Sequence, residues 1–276
     1  MGRATLRGRR MTRSVAQTRS VVVTGCGTGL GRAIFERLIV DGWVVVGIEW
    51  DPDLAAEAVA VPGAAAVLTG DAADREQLAA AAIQATQLAP LGGWVNNAAV
   101  VRMGTLHDPH PAEVDETIRV NLMGPYWGAS EAVRTFLRQR SPGSIVNISS
   151  IHARAAFSGF AAYDVAKGGV NALTRYLAVE YGPAGIRANA IEPGAIRTPM
   201  NQSVIDISPD PVRAARDMAA IHPLGRMGEP PEIAAVTAFL LSNEASFLTG
   251  ECIAVDGGST ARCFPYDPAP DLFDPR

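Results

Sequence analysis

The chain has 276 residues, 48% of them hydrophobic, which suffices for the core of one large domain without demanding two. No apolar run approaches the roughly 18 residues of a membrane span, and three cysteines at unrelated spacings (Cys26, Cys252, Cys263) argue against a disulfide framework and for a reducing, cytoplasmic setting. The net charge is −4, yet residues 1–19 hold six arginines and no acid, which leaves −10 for the remainder and disfavours non-specific binding to nucleic-acid phosphates.

Residues 1–19 lack the apolar segment of a secretory signal, and Met11 offers a second start. They read as a disordered arginine-rich extension rather than a transit peptide or a nucleic-acid arm. Between residues 20 and 260, short β-branched runs alternate with longer amphipathic segments, the pattern of an α/β domain with a parallel sheet covered by helices. The first run, Val21–Thr24, enters Gly25-Cys26-Gly27-Thr28-Gly29-Leu30-Gly31, and a helical pattern follows with Ala33, Ile34, Leu38 and Ile39. Strand, glycine turn and helix N-terminus in that order make an anion site, because free amides and the helix dipole face the ligand. Leu30 breaks a Gly-x-Gly-x-x-Gly pattern started at Gly25, and no lysine follows, so neither that fingerprint nor a Walker loop fits. The next run, Val44–Ile48, ends at Glu49, where an acid accepts hydrogen bonds from both adenosine-ribose hydroxyls and repels a 2′-phosphate.

A third strand is expected over Ala65–Leu68, followed by Asp71, Ala72 and a helix over about 73–88. His107 and His110 flank Pro109 with no cysteine partner, so they read as surface-loop residues and no metal site is expected. Residues 93–99 read as a strand and its exit turn, and residues 112–138 as one long helix whose apolar face contains Asn121, costly there without partners. The strand Ser144–Ile148 ends on Ser149 and Ser150, and strands of such a sheet aim their C-terminal ends at the ligand crevice. A helix over 161–181 sets Tyr163 and Lys167 four residues apart on one face. Lys167 is the chain's only lysine, so this position takes a compact ammonium where every other cationic side chain is a planar guanidinium. After a strand over Arg187–Ile191 comes the turn Pro193-Gly194-Ala195-Ile196-Arg197-Thr198, then a polar, proline-broken stretch to about residue 223 that reads as a mobile lid. A helix over Ile233–Leu241 and a last strand precede residues 261–276, an irregular tail rich in proline and aspartate.

Thr24-Gly25 with Gly29 and Gly31, Asn96-Asn97-Ala98, Ser150 thirteen residues before Tyr163, and Tyr163-x-x-x-Lys167 resemble the classical short-chain dehydrogenase/reductase family. The resemblance runs from about residue 20 to 259 and implies a single-domain Rossmann-type doubly wound parallel sheet of about seven strands. It implies an NAD-dependent oxidoreductase that moves a hydride between NAD(H) and a secondary alcohol or ketone. Tyr163 would be the general acid/base, its pKa lowered by Lys167, which also holds the nicotinamide ribose, while Ser150 holds the substrate oxygen. Asn121 would lie at a distortion of its helix whose neighbourhood holds a water joining Lys167 to solvent.

By the same resemblance, Gly25, Thr28, Gly29, Leu30 and Gly31 hold the cofactor's phosphates, Glu49 and Trp50 border the ribose, and Asp71 and Ala72 border the adenine. Thr28 and Trp50 are not basic and Arg32 has no second partner, so NAD is favoured over NADP. Asn97, Ala98 and Ala99 wall the cleft, with Ala99 where the family carries glycine. Pro193, Gly194, Ile196 and Thr198 lie against the nicotinamide, and Val100, His152, Phe157, Ala195 and Met200 face a small alcohol or ketone. A homo-oligomer, commonly a tetramer, is implied, with no nucleic-acid or membrane partner; an NAD-binding sensor without turnover is the alternative reading.

Overall fold

In the computed structural model, which describes residues 18–263, the central apolar runs become strands buried on both faces. The main elements in chain order are β1 (Ser20–Thr24), α1 (Gly29–Val40), β2 (Val44–Glu49), α2 (Pro52–Val59), β3 (Ala66–Thr69), α3 (Arg75–Leu88), β4 (Leu91–Asn96) and α4 (Pro111–Ile118). They continue with α5 (Gly124–Gln139), β5 (Gly143–Ile148), α6 (Ala161–Tyr181), β6 (Ile186–Pro193), α7 (Pro199–Asp206), α8 (Pro211–Ala220), α9 (Pro230–Leu241) and β7 (Cys252–Val255). The extension up to residue 17 and the tail from residue 264 lie outside the described residues.

The seven strands form one parallel sheet in the order β3-β2-β1-β4-β5-β6-β7. Because side chains alternate along a strand, Val21, Val23 and Val95 pack on one face against Phe35 and Leu38 of α1 and Ile233 of α9. Val22, Val46 and Trp94 pack on the other, against Leu78 of α3, Phe136 of α5 and Leu177 of α6. Each such fully buried side chain contributes roughly 1.5–3 kcal/mol, so the two faces together hold the sheet between its helices. Chain order reverses between β1 and β4, and a doubly wound sheet opens its ligand crevice at that point, beyond the strands' C-terminal ends. Among the described residues no helix is long and apolar enough to cross a membrane.

Three elements differ from the sequence expectation. The helix α2 was not expected; it starts where the Asp51 carboxylate accepts the amides of Asp53 (2.9 Å) and Leu54 (3.2 Å), with Pro52 in the first turn. The expected single helix over 112–138 is two helices joined by a π-helical turn, Arg119–Met123, which contains Asn121. Pro125 is the reason: it has no N–H for the Asn121 carbonyl four residues earlier, so the α-helical ladder cannot run through. The stretch expected as a proline-broken lid folds into α7 and α8. Its prolines start helices rather than break them, standing at Pro199 and Pro211 behind the caps Thr198 and Asp210, which accept from Asn201 (3.3 Å) and Arg213 (3.0 Å).

Candidate active site

A cleft of about 1050 Å³ opens at the strand ends where the order reverses. That volume exceeds what one drug-sized molecule fills and accommodates a dinucleotide together with a small substrate. Apart from Asn121, every residue that the sequence reading assigned to catalysis, cofactor or substrate lines it.

At one end, the glycine loop folds back on the start of α1. Gly25 and Gly29 take φ of +66° and +55°, and a Cβ on Gly31 would lie 1.8 Å from the Gly25 carbonyl oxygen, so only glycine allows the approach. Thr24 Oγ1 accepts the amides of Asn97 (3.0 Å) and Ala98 (3.1 Å), while Asn97 Nδ2 donates to the carbonyls of Thr24 (2.9 Å) and Gly25 (3.0 Å). This clip sets the β4 exit turn against the loop. Glu49 is buried, where a solvated strand-end acid would be exposed; Oε2 accepts from the Gly27 amide (2.8 Å) and Oε1 from the amides of Trp50 (3.0 Å) and Asp51 (3.2 Å). Three of a carboxylate's roughly four lone-pair positions are thus taken, which orients the group and leaves acceptor capacity toward the cleft. Arg32 pairs with Glu36 one turn along α1 (2.6 Å), and Asp71 pairs with Arg119, a partner the sequence did not reveal. A glycine cradle at a helix N-terminus, with an oriented acid at the end of the next strand, fits a dinucleotide.

At the other end, Ser150 leaves β5 in extended conformation, its Oγ accepting the His152 amide (3.2 Å). Lys167 is only 2% exposed; its Nζ donates to the Ile148 carbonyl (2.8 Å) and stands 5.4 Å from the centre of the Tyr163 ring. Here the structure corrects an expectation. Loss of water around the phenol pushes the Tyr163 pKa up to about 12, although hydrogen bonding with Ser150 pulls it down. Burial brings Lys167 down to about 8. In the protein alone, desolvation outweighs any lowering of the tyrosine by the lysine. Asn121 is fully buried outside the cleft, with Nδ2 donating to the Val100 carbonyl (2.7 Å) and Oδ1 accepting the Val100 amide (2.8 Å), so its side chain locks Val100 in place.

Residues 25–260 match the family model described as enoyl-(acyl carrier protein) reductase. The chain is 38% identical over 247 residues, 87% of its own length and 96% of the relative's, to 2-(S)-hydroxypropyl-CoM dehydrogenase 3 of Xanthobacter autotrophicus. It is also 38% identical over 251 residues, 88% of this chain and 94% of the relative, to 3beta-hydroxysteroid dehydrogenase 1 of Eggerthella lenta. The crystal structure of levodione reductase superposes with a TM-score of 0.82 at 36% identity, covering 88% of this chain and 98% of that one. The chain belongs to the short-chain dehydrogenase/reductase family. Oxidoreduction with a nicotinamide cofactor is the chemistry that membership carries.

In this dehydrogenase/reductase the substrate side of the cleft holds residues that the sequence reading missed. The helices α7 and α8 supply Val204 and Met218, and Ile221 caps the end of α8. Met200 and Val204, like Ala214 and Met218, are four apart, so helical periodicity was the available signal. Phe160, which also lines the cleft, and Asp164, which bonds His152, were missed as well. Behind the cleft, Arg154 pairs with the fully buried Glu192 and donates to the Cys252 carbonyl, pinning the loop after Ser150 to β6 and β7. His107 and His110 are exposed loop residues, and the described residues contain no cluster able to hold a metal ion.

Proposed function

We propose that this short-chain dehydrogenase/reductase transfers a hydride between NAD(H) and a secondary alcohol or its ketone, with Tyr163 as general acid and base. The observation that carries the reading is one cleft lined by the glycine cradle and Glu49 at one end and by Ser150, Tyr163 and Lys167 at the other. NAD, held by the glycine loop and Glu49, supplies the hydride chemistry. Ser150 Oγ holds the substrate oxygen and stabilises its developing charge. Tyr163 gives its proton to that oxygen during reduction and takes it back during oxidation. With its pKa near 12, the phenol is protonated at neutral pH and ready for reduction, whereas oxidation needs phenolate, which the Lys167 ammonium favours. We assign a water that reconnects Lys167 with solvent to the neighbourhood of Asn121, whose carbonyl Pro125 leaves without its helical donor. Homo-oligomers, with a tetramer as the expected state, suit the apolar side chains exposed on α5 and α6, among them Tyr126, Tyr176 and Val179.

The test is a panel of secondary alcohols with NAD and with NADP, followed by the absorbance of reduced nicotinamide. Turnover with NAD is expected; tight NAD binding without turnover of any alcohol would instead favour an NAD-binding sensor. Two further results are expected. Because oxidation requires phenolate and reduction requires phenol, kcat for oxidation should climb with pH up to about 8, where Lys167 begins to lose the charge that favours phenolate, while kcat for reduction should not climb. Parallel profiles in the two directions would contradict Tyr163 as the shared proton carrier. Glu49→Gln should weaken NAD binding about tenfold or more, the scale of a hydrogen bond to a charged group, and should narrow the gap to NADP by removing the charge that repels a 2′-phosphate. Titrating both cofactors into the variant measures this; an unchanged NAD/NADP ratio would remove Glu49 from the discrimination.

A further inference from the structure

His152 lies two residues beyond Ser150, in a one-turn 3₁₀ segment, and it lines the cleft. Its ring stacks on Phe157 (centres 4.2 Å apart) and meets Phe160 (5.2 Å) and Tyr163 (5.1 Å) edge-on. Its Nδ1 is 2.5 Å from Asp164 Oδ1, and the other oxygen of Asp164 accepts the Phe157 amide (3.2 Å). A carboxylate offers only lone pairs, so the proton in the first contact sits on Nδ1 and leaves Nε2 as a bare acceptor. Packing on three rings and the bond to Asp164 fix the direction of that lone pair. Among the described residues Nε2 has no hydrogen-bond partner, and it is not sealed from solvent, on a ring that lines the cleft. Burial holds the His152 pKa below its usual 6.5 even with Asp164 raising it, which keeps the ring neutral at neutral pH.

The rest of the substrate side is mainly apolar. Phe157, Met200, Val204, Met218 and Ile221 present apolar side chains. Its polar side chains are Asn201, whose amide nitrogen donates to the Ile196 carbonyl (2.7 Å), Ser203, whose hydroxyl donates to the Met200 carbonyl (2.7 Å), and Asp217, a solvent-exposed carboxylate that pairs with Arg213 (3.3 Å). An oriented acceptor in such a wall is left unsatisfied by a ligand that cannot donate to it, and that penalty is what makes a built hydrogen-bonding site selective.

We propose that His152 is a specificity-determining residue whose Nε2 accepts a hydrogen bond from a second hydroxyl of the substrate, so that diols and polyhydroxy compounds are preferred over simple alcohols. The inference rests on the proposed function. Since the imidazole and the Tyr163 ring are in edge contact, the second hydroxyl stands on a carbon adjacent to the reacting one or one further along.

The test compares cyclohexanol with 1,2- and 1,3-cyclohexanediol, reading the diol-to-monoalcohol ratio of kcat/KM for wild type, His152→Phe and His152→Gln. The wild type should favour at least one diol about tenfold or more. Phenylalanine keeps the stacked ring without the acceptor and should collapse the ratio to roughly threefold or less; glutamine restores an acceptor and should give an intermediate ratio. NAD binding confirms that each variant is folded. A wild type without diol preference, or a ratio untouched by His152→Phe, would overturn the inference while the proposed function stands. Turnover of none of the three compounds and of no alcohol in the wider panel, with NAD still bound, would overturn both.

Discussion

Tyr163→Phe is expected to lower kcat by roughly 10²- to 10⁴-fold, the range that a positioned general acid or base contributes. The substitution deletes one oxygen from a ring already packed against His152 and facing Lys167, so cofactor binding and fold should survive it. The loss should therefore appear in kcat, with NAD affinity within a few-fold of wild type, because the hydroxyl acts on the reacting oxygen and not on the adenosine end of the cleft. Steady-state kinetics in both directions, beside a direct NAD titration, separate the two effects. Retention of most of the turnover would end the case for this tyrosine as the proton carrier.

Lys167 is expected to show the largest opposition between function and stability. Its ammonium is buried with one acceptor among the described residues, the Ile148 carbonyl, and burial lowers its pKa from 10.5 to about 8. A lowered pKa on a base means that the folded state disfavours the charge. The cost is fully present below about pH 8, where the lysine is charged in folded and unfolded chains alike, and it fades towards pH 10.5, where only the unfolded chain still binds the proton. At about 1.4 kcal/mol per pKa unit the penalty is of order 3 kcal/mol. Lys167→Met removes it but leaves the Ile148 carbonyl unpaired, at about 1–3 kcal/mol. The variant should therefore melt no lower than wild type at neutral pH while losing about 100-fold or more in kcat. Its margin in Tm over wild type should shrink by several degrees as pH rises from about 8 towards 10.5. Lys167→Arg keeps a charge but places a larger planar fork in a fully enclosed site, and should also lose about 100-fold, since small misplacements of a catalytic group cost that much. Thermal melts across pH, with kinetics at each pH, check both statements; a methionine variant markedly less stable at neutral pH would show that the ammonium is stabilising.

The strand runs, the glycine turn and the Tyr163–Lys167 spacing were legible because each is local: a period of two, a turn of fixed composition, or two residues one helical turn apart. Asp51 ahead of Pro52 was an equally local signal for α2 and was overlooked, as was the proline-after-cap pattern that starts α7 and α8. Other features join residues far apart in sequence. Arg119 meets Asp71 across 48 residues, and Asn121 meets Val100 across 21. No spacing rule predicts such pairs, because they depend on which strand ends the sheet order makes neighbours.

The pKa of Tyr163 is of the same kind. Sequence supplied the nearby charge that would lower it, but how much water the fold removes from the phenol depends on every element that packs around it, and that effect is the larger. The His152–Asp164 pair lies between these cases: its members are 12 residues apart, but only the turn after β5 and the start of α6 together bring them into contact. By itself, then, the sequence determined the architecture, the family and the residue types at the strand ends, since periodicity and short motifs encode them directly. Tertiary structure alone decided the state of those residues: which acid is buried, how far the phenol is stripped of water, and which imidazole nitrogen is left to meet a substrate. Desolvation and orientation are set by the surrounding packing and have no local signature.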